Sequence, residues 1–384
     1  MIPVSVFESV LRGTLAPIEP FLDDDSVTEI AINGPSEIFV ERKGLLCRTQ
    51  VRFQSADTLI SALRVVAQYM GRPFDELHPI LEARLPDGSR LEAVLTPIAS
   101  DGPAVSIRRF SKDRLTLAKL LSLGALTEDG VELLRALIEC KQNIVVAGGT
   151  GSGKTSLLNA LSSLIPEGER VLVIEDAREL QLQREHVLQF EARPPDAKGK
   201  GAVTIRDIFK ASLRMRPDRI VLGEIRGGEA LDLIQAMTSG HGGCLTTVHA
   251  TYPTDTLNRL ETLALMSGVE LPLHALRTQL ASAVDVIVQT ARMRDGRRRV
   301  THISEVLGTD VNYGYRISNL FVCRSARPNP DGSVPAAFMP TGALPGCMDI
   351  IQAHGLSIPS SMLQAASGAA ASIRKGNPGP GSGG

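Results

Sequence analysis

Residues 143–155, NIVVAGGTGSGKT, decide the fold of this chain. The apolar run Asn143–Ala147 predicts a short buried strand, and the segment from Lys154 predicts a helix that extends to Leu164. Between them, GGTGSGKT matches the pattern G-x-x-x-x-G-K-[ST] in the strand-loop-helix context that the pattern requires. Glycines let the backbone N–H groups of such a loop close around phosphates without Cβ clashes. The segment therefore predicts a phosphate-binding loop rather than a chance cluster of glycines.

The loop also assigns roles to individual residues. The N-terminus of the following helix adds partial positive charge that favours an anion. Lys154 is expected to reach the β- and γ-phosphates of a nucleoside triphosphate such as ATP, and the Thr155 hydroxyl is expected to hold Mg²⁺. The predicted nucleotide-binding residues are Gly148, Gly149, Thr150, Gly151, Ser152, Gly153, Lys154, Thr155 and Ser156.

The composition is that of a globular protein of about two domains. Of the 384 residues, 43% are hydrophobic and 22% are charged, which excludes a disordered chain. Lysine plus arginine total 41 and aspartate plus glutamate total 42, so the net charge of −1 disfavours a whole-chain attraction to nucleic acid or membrane. Tryptophan is absent and aromatic residues are 4%, which argues against stacking platforms for single-stranded nucleic acid.

The cysteines and the hydropathy favour a cytoplasmic protein. Five scattered cysteines without a CxxC pair fit neither a disulfide framework nor a zinc knuckle, and they indicate a reducing compartment. The first residues lack the basic head and the long apolar run of a signal peptide. No stretch approaches the roughly 20 apolar residues that span a bilayer. We therefore expect any membrane association to be peripheral and to come through a partner.

Strand and helix patterns divide the chain into four segments. Residues 1–110 predict a mixed α/β domain, and residues 111–124 predict a linker around a short helix. Strands and helices alternate within 125–350, which predicts an α/β domain with a mainly parallel sheet covered by helices on both faces. Near its C-terminal end, residues 299–324 predict two further strands. Residues 351–384 are expected to be loop-rich and disordered, because their end is biased towards Gly, Ala, Ser and Pro.

Two acids follow predicted strands. Glu175 ends one strand, and acids at the carboxyl end of a parallel strand face the ligand crevice. The alternative is a helix cap formed by Asp176 with Glu179, and both interpretations can hold.

Glu224 ends a buried strand in RPDRIVLGEIR, where a carboxylate can polarise an attacking water or hold the Mg²⁺ shell. Arg226 could instead form a plain surface ion pair with Glu224, but the upstream phosphate loop favours catalysis.

Two further motifs carry charge or titratable groups. His241 and His249 bracket the predicted strand Cys244–Val248 and could sense the γ-phosphate through hydrogen bonds. A metal site is a poorer interpretation, because no third ligand is evident. Near the end of the α/β domain, several arginines surround Asp295-Gly296 in a basic hairpin, which is usually a solvated turn but could face an acidic partner loop. These arginines are Arg292, Arg294, Arg297, Arg298 and Arg299.

Four segments, in order, resemble a known family. GGTGSGKT, VIEDAREL, RPDRIVLGEIRG and SGHGGCLTTVHA resemble the Walker A, Asp box, Walker B and His box of the type II/type IV secretion ATPases. The later RLETLALMSGVELP and ASAVDVIVQTARMRDGRRRVTHISEV resemble the CpaF branch of Flp or tight-adherence pili. The resemblance covers about residues 25–350. It implies a ring-shaped homohexamer with an N-terminal domain, a flexible linker and a RecA-like C-terminal domain, with ATP bound between the two domains.

The resemblance also implies residue roles. Glu175 is similar to the Asp-box acid, Glu224 to the Walker B glutamate, and His241 and His249 to the His-box histidines. With Thr155, the two glutamates are the candidate metal ligands.

The family places arginines of the N-terminal domain against the γ-phosphate. Arg90 and Arg108 sit where those arginines are expected. Arg109 is a rival for Arg108, because neighbours on a strand face opposite sides. The alternative without a function is that all three are exposed, charged side chains on strands.

The resemblance implies an ATP-hydrolysing motor for pilus assembly or protein secretion at the cytoplasmic face of the inner membrane. Its partner would be an inner-membrane platform protein, and no nucleic-acid partner is expected. The first alternative is a nucleic-acid translocase or helicase on a RecA-like core, which the near-neutral charge disfavours. The second is a nucleotide-gated, non-catalytic assembly protein, which the set Lys154, Thr155 and Glu224 disfavours. A small-molecule kinase would not explain the His box.

Overall fold

The computed structural model describes residues 4–42, 44–109, 115–196, 199–325, 329, 334 and 336–375. The chain divides into two compact units. The first comprises residues 1–114 together with 193–202, and the second comprises residues 115–192 and 203–384. The sequence did not predict that 193–202 belongs with the first unit, because no periodic pattern marks that segment.

The first unit is built on an antiparallel sheet with strand order β3-β2-β1-β6-β5-β4. Alternate residues such as Ile30 and Ile32 on β1 are buried, which is the period of a sheet with one covered face. The elements are α1 (Val4–Thr14), α2 (Glu19–Leu22), β1 (Val27–Asn33), β2 (Glu37–Arg42), β3 (Leu45–Arg48), α3 (Ala56–Tyr69), β4 (Ile80–Arg84), β5 (Arg90–Val94) and β6 (Ala104–Arg108).

The second unit contains the mainly parallel sheet, and its order is β15-β14-β13-β12-β7-β11-β10-β8-β9. Neighbours from β12 to β9 pair in parallel, whereas β13, β14 and β15 extend the sheet in antiparallel fashion. Its first elements are α4 (Leu117–Ser122), α5 (Glu128–Glu139), β7 (Ile144–Gly148), α6 (Lys154–Ser162), β8 (Val171–Glu175), β9 (Val187–Glu191), α7 (Ile205–Ser212), β10 (Arg219–Leu222) and α8 (Glu229–Thr238). The later elements are β11 (Leu245–Val248), α9 (Pro253–Leu265), α10 (Leu273–Ala283), β12 (Val286–Arg292), β13 (Arg298–Thr309), β14 (Tyr315–Ser325), β15 (Ala336–Pro340), α11 (Met348–Ala353) and α12 (Ser360–Lys375).

Strand β7 shows why this sheet needs helices on both faces. Ile144 and Val146 pack into one apolar cluster with α5 and α6, while Val145 and Ala147 pack into a second cluster with α8, α9 and α10. All four residues are fully buried. The predicted α/β class with a covered, mainly parallel sheet is confirmed. The two further strands expected over 299–324 correspond to β13 and β14, and the sequence did not indicate their antiparallel pairing or β15.

The tail differs from the sequence prediction. A loop-rich segment was expected over 351–384, but the structure has α11 and then α12, which ends at Lys375. Ile351 and Met362 are fully buried in the apolar cluster that also holds α5. Alanine is the best helix former, so the bias that resembled low complexity favours a helix here. Residues 376–384 lie outside the described part of the chain.

The linker prediction falls partly outside the described residues, because 110–114 are among those not described. Its remainder contains α4, whose N-cap Thr116 accepts a hydrogen bond from the Lys119 N–H. Leu120 of this helix is buried in the second unit. Among the described helices, none is both long and apolar enough to cross a membrane.

The position of Met362 gives a direct test of the tail. Replacing this fully buried side chain by alanine (Met362→Ala) should lower the free energy of unfolding by about 2–5 kcal/mol, because burial is lost and a cavity is left. The adjacent Leu363 is 48% exposed, so Leu363→Ala should change it by less than about 0.5 kcal/mol. Chemical denaturation of the full chain measures both values. Equal effects of the two substitutions would contradict the packing of α12.

Candidate functional site: a glycine loop and four strand ends

The loop between β7 and α6 has a backbone that only glycine accommodates at three positions. A Cβ on Gly148 would lie 2.5 Å from the Thr290 carbonyl oxygen and would also meet Ser152 Oγ. Gly151 and Gly153 have φ angles of +69° and +93°, in the region that side-chain-bearing residues rarely adopt. Gly153 is the N-cap of α6, so the left-handed turn brings the chain directly into the helix. The sequence pattern therefore corresponds to a defined loop conformation.

Side chains of the loop hold its own backbone. Ser152, almost fully buried, donates from Oγ to the Gly149 carbonyl at 2.8 Å. Lys154 is 8% exposed, and its ammonium Nζ lies 3.3 Å from the same carbonyl oxygen. The ammonium group is thus folded back over the loop.

Four candidate residues lie at the carboxyl ends of strands that are consecutive in the sheet. The order β7-β11-β10-β8 places Lys154, His249, Glu224 and Glu175 along one edge. In a parallel sheet, this edge forms the ligand crevice. Residues far apart in the sequence are therefore neighbours because their strands share one direction.

His249 connects the loop to the acid of β10. Its Nε2 lies 2.8 Å from Glu224 Oε1, and Lys154 Nζ lies 3.3 Å from both Nδ1 and Nε2. A neutral ring that donates from Nε2 to the carboxylate and accepts at Nδ1 from the ammonium satisfies both contacts. Burial, with the positive charge of Lys154, lowers the pKa of His249 below its ordinary value and so favours this neutral form.

Glu224 is also paired with Arg226. The guanidinium Nε and Nη2 donate to Glu224 Oε2 at 2.9 and 2.7 Å, and Nη1 lies 2.7 Å from Asp176 Oδ2. The ion pair that the sequence offered as an alternative is therefore formed. It does not remove Glu224 from the crevice, because the same carboxylate contacts His249. The Arg226–Asp176 contact ties the ends of β10 and β8, and the sequence analysis missed it.

Glu175 is held differently from the prediction. Its Oε1 accepts the backbone N–H groups of Glu179 and Leu180, each at 3.0 Å. No described helix starts at Asp176, so the predicted cap of Asp176 with Glu179 is wrong; the carboxylate of Glu175 organises this turn instead. A Cβ on Gly223 would lie 2.9 Å from Glu175 Cγ, so the glycine before Glu224 is required for this packing.

Burial dominates the electrostatics of Glu175. The residue is 3% exposed, and the loss of hydration raises the pKa of its carboxyl to about 7, although the two N–H donors act in the opposite direction. At neutral pH this carboxyl is therefore partly protonated. Its Oε1 is engaged by backbone groups, so the structure gives Glu175 a role in ordering the turn that follows β8.

His241 does not join the other candidates within the chain. It precedes β11, whereas His249 follows it, and Leu245 at the start of β11 pairs with Ile144 at the start of β7. His241 therefore lies at the amino edge of the sheet, opposite the glycine loop. Its backbone N–H donates to Ala236, and its Nδ1 is buried without a hydrogen-bond partner in the described part of the chain. The expectation that both histidines sense one phosphate fails for His241, because a strand separates them.

The N-terminal arginines lie in the first unit, on adjacent strands. Arg90 on β5 pairs in register with Arg108 on β6, and on its other side with Arg84 on β4. Arg84 was missed by the sequence analysis, since only the strand register brings it into this row. Three arginines thus lie in one row across β4, β5 and β6.

Arg109 differs from the arginines of this row because its side chain is buried. Its side chain is 7% exposed, and its Nη1 donates to the carbonyl oxygens of Phe21 and Asp24 at 3.0 and 2.7 Å. Arg108 belongs instead to the exposed residues. Arg109 is thus an internal anchor of the first unit, which leaves Arg108 as the residue available to a ligand.

The donor set at the strand ends suits Mg²⁺. The Thr155 hydroxyl opens α6, and the Glu224 carboxylate is only partly exposed at the end of β10. Mg²⁺ prefers oxygen ligands of this kind and keeps several waters, so it does not need a closed protein cage. No group of three or more His, Cys, Asp or Glu side chains in the described residues forms such a cage.

Known proteins share this architecture. The family model described as "Type II/IV secretion system protein" matches residues 12–313. A Mycobacterium tuberculosis protein whose name refers to conjugal transfer is 36% identical over 78% of this chain and 86% of its own length. The type IV secretion system protein VirB11 of Brucella suis is 36% identical over 76% of this chain and 88% of its own length. The structure of the Legionella pneumophila ATPase DotB aligns with a TM-score of 0.52 at 18% identity, covering 81% of this chain and 82% of DotB, which supports the RecA-like fold.

The raised pKa of Glu175 predicts a pH-dependent stability. Because the folded pKa of about 7 lies above the unfolded value, the contribution of this group is fully present below about pH 4.3 and is lost as the pH rises towards 7. In Glu175→Gln, the amide oxygen can still accept both N–H groups. We therefore expect its free energy of unfolding, relative to the unsubstituted chain, to increase by about 2 kcal/mol between pH 5 and pH 8.

Denaturation of both proteins across that pH range measures the difference. Glu270→Gln is the control, because Glu270 is an exposed carboxylate in the segment between α9 and α10, away from Glu175 in the sequence and in the sheet. Its stability relative to the unsubstituted chain should not change with pH. A pH profile of Glu175→Gln that parallels the unsubstituted chain would show that burial does not perturb this carboxyl.

Proposed function

The chain belongs to the type II/IV secretion system protein family, and from this premise we propose that it is an ATPase motor for pilus assembly or protein secretion. The observation that carries the proposal is the chain of contacts Lys154–His249–Glu224 beside the glycine loop. A phosphate-binding lysine and a water-activating acid are the two groups that hydrolysis of a triphosphate requires at one edge.

The residues supply positioning and electrostatic stabilisation. The N–H groups of the loop and the ammonium of Lys154 hold the β- and γ-phosphates. Glu224 orients the attacking water and accepts its proton as the oxygen adds to the γ-phosphorus, while the bond to the ADP oxygen breaks. Neutral His249 contacts both Lys154 and Glu224. A change in the position of Lys154 when it binds a phosphate would therefore alter the hydrogen bonding of Glu224.

Mg²⁺ would be held by the Thr155 hydroxyl and, through water, by Glu224. When bound, it would neutralise charge on the transferred phosphate. We assign Glu175 a supporting role, since its Oε1 is engaged by two N–H groups. We keep His249 as the candidate γ-phosphate sensor and do not assign that role to His241.

A cavity beside the loop fits the rest of the nucleotide. It has a volume of about 390 Å³ and lies entirely within the second unit. Ser152, Gly153 and Ser156 contribute to its lining, as do Leu115, Leu120 and Leu123. Thr290 and residues 296–300 of the turn between β12 and β13 line its other side. Hydroxyl and backbone groups suit a ribose and its phosphate, and leucines suit the faces of a base. We assign this cavity to the nucleoside.

The finer features of the motor are part of the proposal. By resemblance to the family, the chain would act as a homohexamer at the cytoplasmic face of the inner membrane, with an inner-membrane platform protein as partner. Its later segments, which resemble the CpaF branch, favour Flp or tight-adherence pili. The arginine row of the first unit would supply positive charge to the γ-phosphate.

Substitutions at Lys154 and Glu224 test the proposed activity. Lys154→Ala should abolish retention of ATP, because the ammonium that faces the phosphates is removed. Glu224→Gln should retain ATP but hydrolyse it at least about 100-fold more slowly, because the amide cannot accept a proton from water. Phosphate release and equilibrium binding with Mg²⁺ measure the two effects. Glu270→Gln, an exposed control between α9 and α10, should leave both unchanged; full turnover by both site variants would refute the ATPase proposal.

Arg108 and Arg109 are expected to separate activity from stability. Arg108→Ala should lower phosphate release by at least about 100-fold, since a cation that stabilises the transferred phosphate is lost. Its effect on stability should stay below about 0.5 kcal/mol, because the side chain is exposed. Arg109→Ala should lower the free energy of unfolding by about 2 kcal/mol, since two carbonyl groups lose a charged donor.

Denaturation and hydrogen exchange of residues 19–26 in the full chain measure the stability effects. If Arg108→Ala released phosphate at the normal rate, the arginine row would have no part in turnover.

A further inference from the structure

The basic hairpin that joins β12 and β13 is not simply a solvated turn. Its residue Arg298 is directed towards the glycine loop, and the Arg298 Nε donates to the Gly151 carbonyl oxygen at 2.8 Å. The side-chain methylene Cδ lies 3.2 Å from the position that a Cβ on Gly153 would occupy. Arg298 therefore contacts the loop through both its charged group and its stem.

A second residue of the same hairpin holds the next peptide of the loop. Thr290 Oγ1 on β12 lies 3.0 Å from the Ser152 carbonyl oxygen and 3.2 Å from the Arg299 carbonyl oxygen, and the shorter distance favours donation to Ser152. The backbone of Thr290 also packs against Gly148, where a Cβ would lie 2.5 Å from its carbonyl oxygen. Thr290 is 4% exposed, so this contact is part of the buried interior. The hairpin thus holds two consecutive carbonyls, those of Gly151 and Ser152.

Holding these carbonyls determines where the N–H groups point. In a trans peptide, the C=O of one residue and the N–H of the next point in opposite directions. When the Ser152 carbonyl faces Thr290, the Gly153 N–H points away from Thr290 and is left available to a ligand. The Ser152 N–H, opposite the Gly151 carbonyl, is held within the loop, where it donates to the Gly149 carbonyl oxygen at 3.3 Å. The conformation of the loop, and with it the direction of the Gly153 N–H, therefore depends on contacts to these two carbonyls.

The turn that carries Arg298 is itself fixed. Within it, the Met293 N–H donates to the Arg297 carbonyl at 2.7 Å. Asp295 Oδ1 accepts the Arg297 N–H, and Asp295 Oδ2 accepts the Val334 N–H, both at 3.1 Å. The side chain of Asp295 is thus engaged on both oxygens. These hydrogen bonds fix the turn between β12 and β13, so the start of β13 lies beside the loop. The turn does not have to become ordered when a ligand binds.

We infer that Arg298 is a positioning residue for the phosphate-binding loop, acting through the Gly151 carbonyl and assisted by Thr290. The inference rests on the proposed function, because it concerns affinity for the nucleotide. Arg298 also lines the cavity assigned to the nucleoside, but the role that we infer is to keep the loop in the conformation that presents its N–H donors. It does not itself take part in bond cleavage. Loss of its guanidinium weakens nucleotide binding more than it slows turnover of the bound nucleotide.

The test compares three variants of the full chain with a fluorescent ADP analogue and in steady-state ATP hydrolysis. Arg298→Ala should raise the Kd for the analogue and the KM for ATP by about ten-fold, with kcat within about two-fold of the unsubstituted chain. Arg298→Lys retains a cationic donor and should recover part of the affinity. Arg294→Ala, which removes an exposed arginine of the same turn, should bind like the unsubstituted chain.

The melting temperature without nucleotide serves to separate positioning from folding. Because Arg298 is exposed, we expect no change in that temperature for Arg298→Ala. Unchanged Kd and KM in this variant would overturn the inference while leaving the ATPase proposal intact. A fall in kcat with an unchanged KM would also overturn it, since Arg298 would then act in bond cleavage. Absence of nucleotide binding by the unsubstituted chain would refute the ATPase proposal and the inference together.

Discussion

The site depends on a close approach of two backbones at Gly148. The end of β7 runs so near to Thr290 on β12 that no side chain fits between them. This contact keeps the loop against the sheet, and the left-handed Gly151 and Gly153 then bring the chain into α6. The anion site is therefore a property of the backbone, and its glycines are required by space and by dihedral angle rather than by chemistry of their own.

The parallel sheet gathers the chemical groups around this loop. Because β11, β10 and β8 follow β7 in order and direction, their ends present a histidine and two glutamates along one edge. The groups are not equivalent. Glu224 faces charged partners and remains partly exposed, whereas Glu175 is buried and engaged by N–H groups. Environment rather than residue type separates a water-activating acid from one that orders a turn.

Much of this site could be predicted from the sequence, because its signals are local. The glycine loop, the strand before it and the acids that end β8 and β10 each leave a pattern within about ten residues. The position of His241 could also have been predicted, because residues that precede and follow one strand lie at opposite edges of the sheet. The family resemblance obscured this point by treating the two as one box.

The remaining features depend on tertiary contacts that leave no local pattern. Asp176 with Glu179 has the spacing of a helix cap, but the packing of Glu175 against Gly223 produces a different turn. The choice between Arg108 and Arg109 needs the buried carbonyls of Phe21 and Asp24. The helix α12 was mistaken for a disordered tail, because alanine bias is shared by low-complexity segments and by good helices.

The most direct measurement is amide hydrogen exchange of the full chain with and without ATPγS and Mg²⁺. If the loop binds a triphosphate through its backbone, amide exchange in peptides that cover residues 148–156 should be slower when the nucleotide is present. In the Lys154→Ala variant, the nucleotide should leave that exchange unchanged. Exchange in that segment that is the same with and without saturating nucleotide would contradict the central claim that this backbone is the phosphate site.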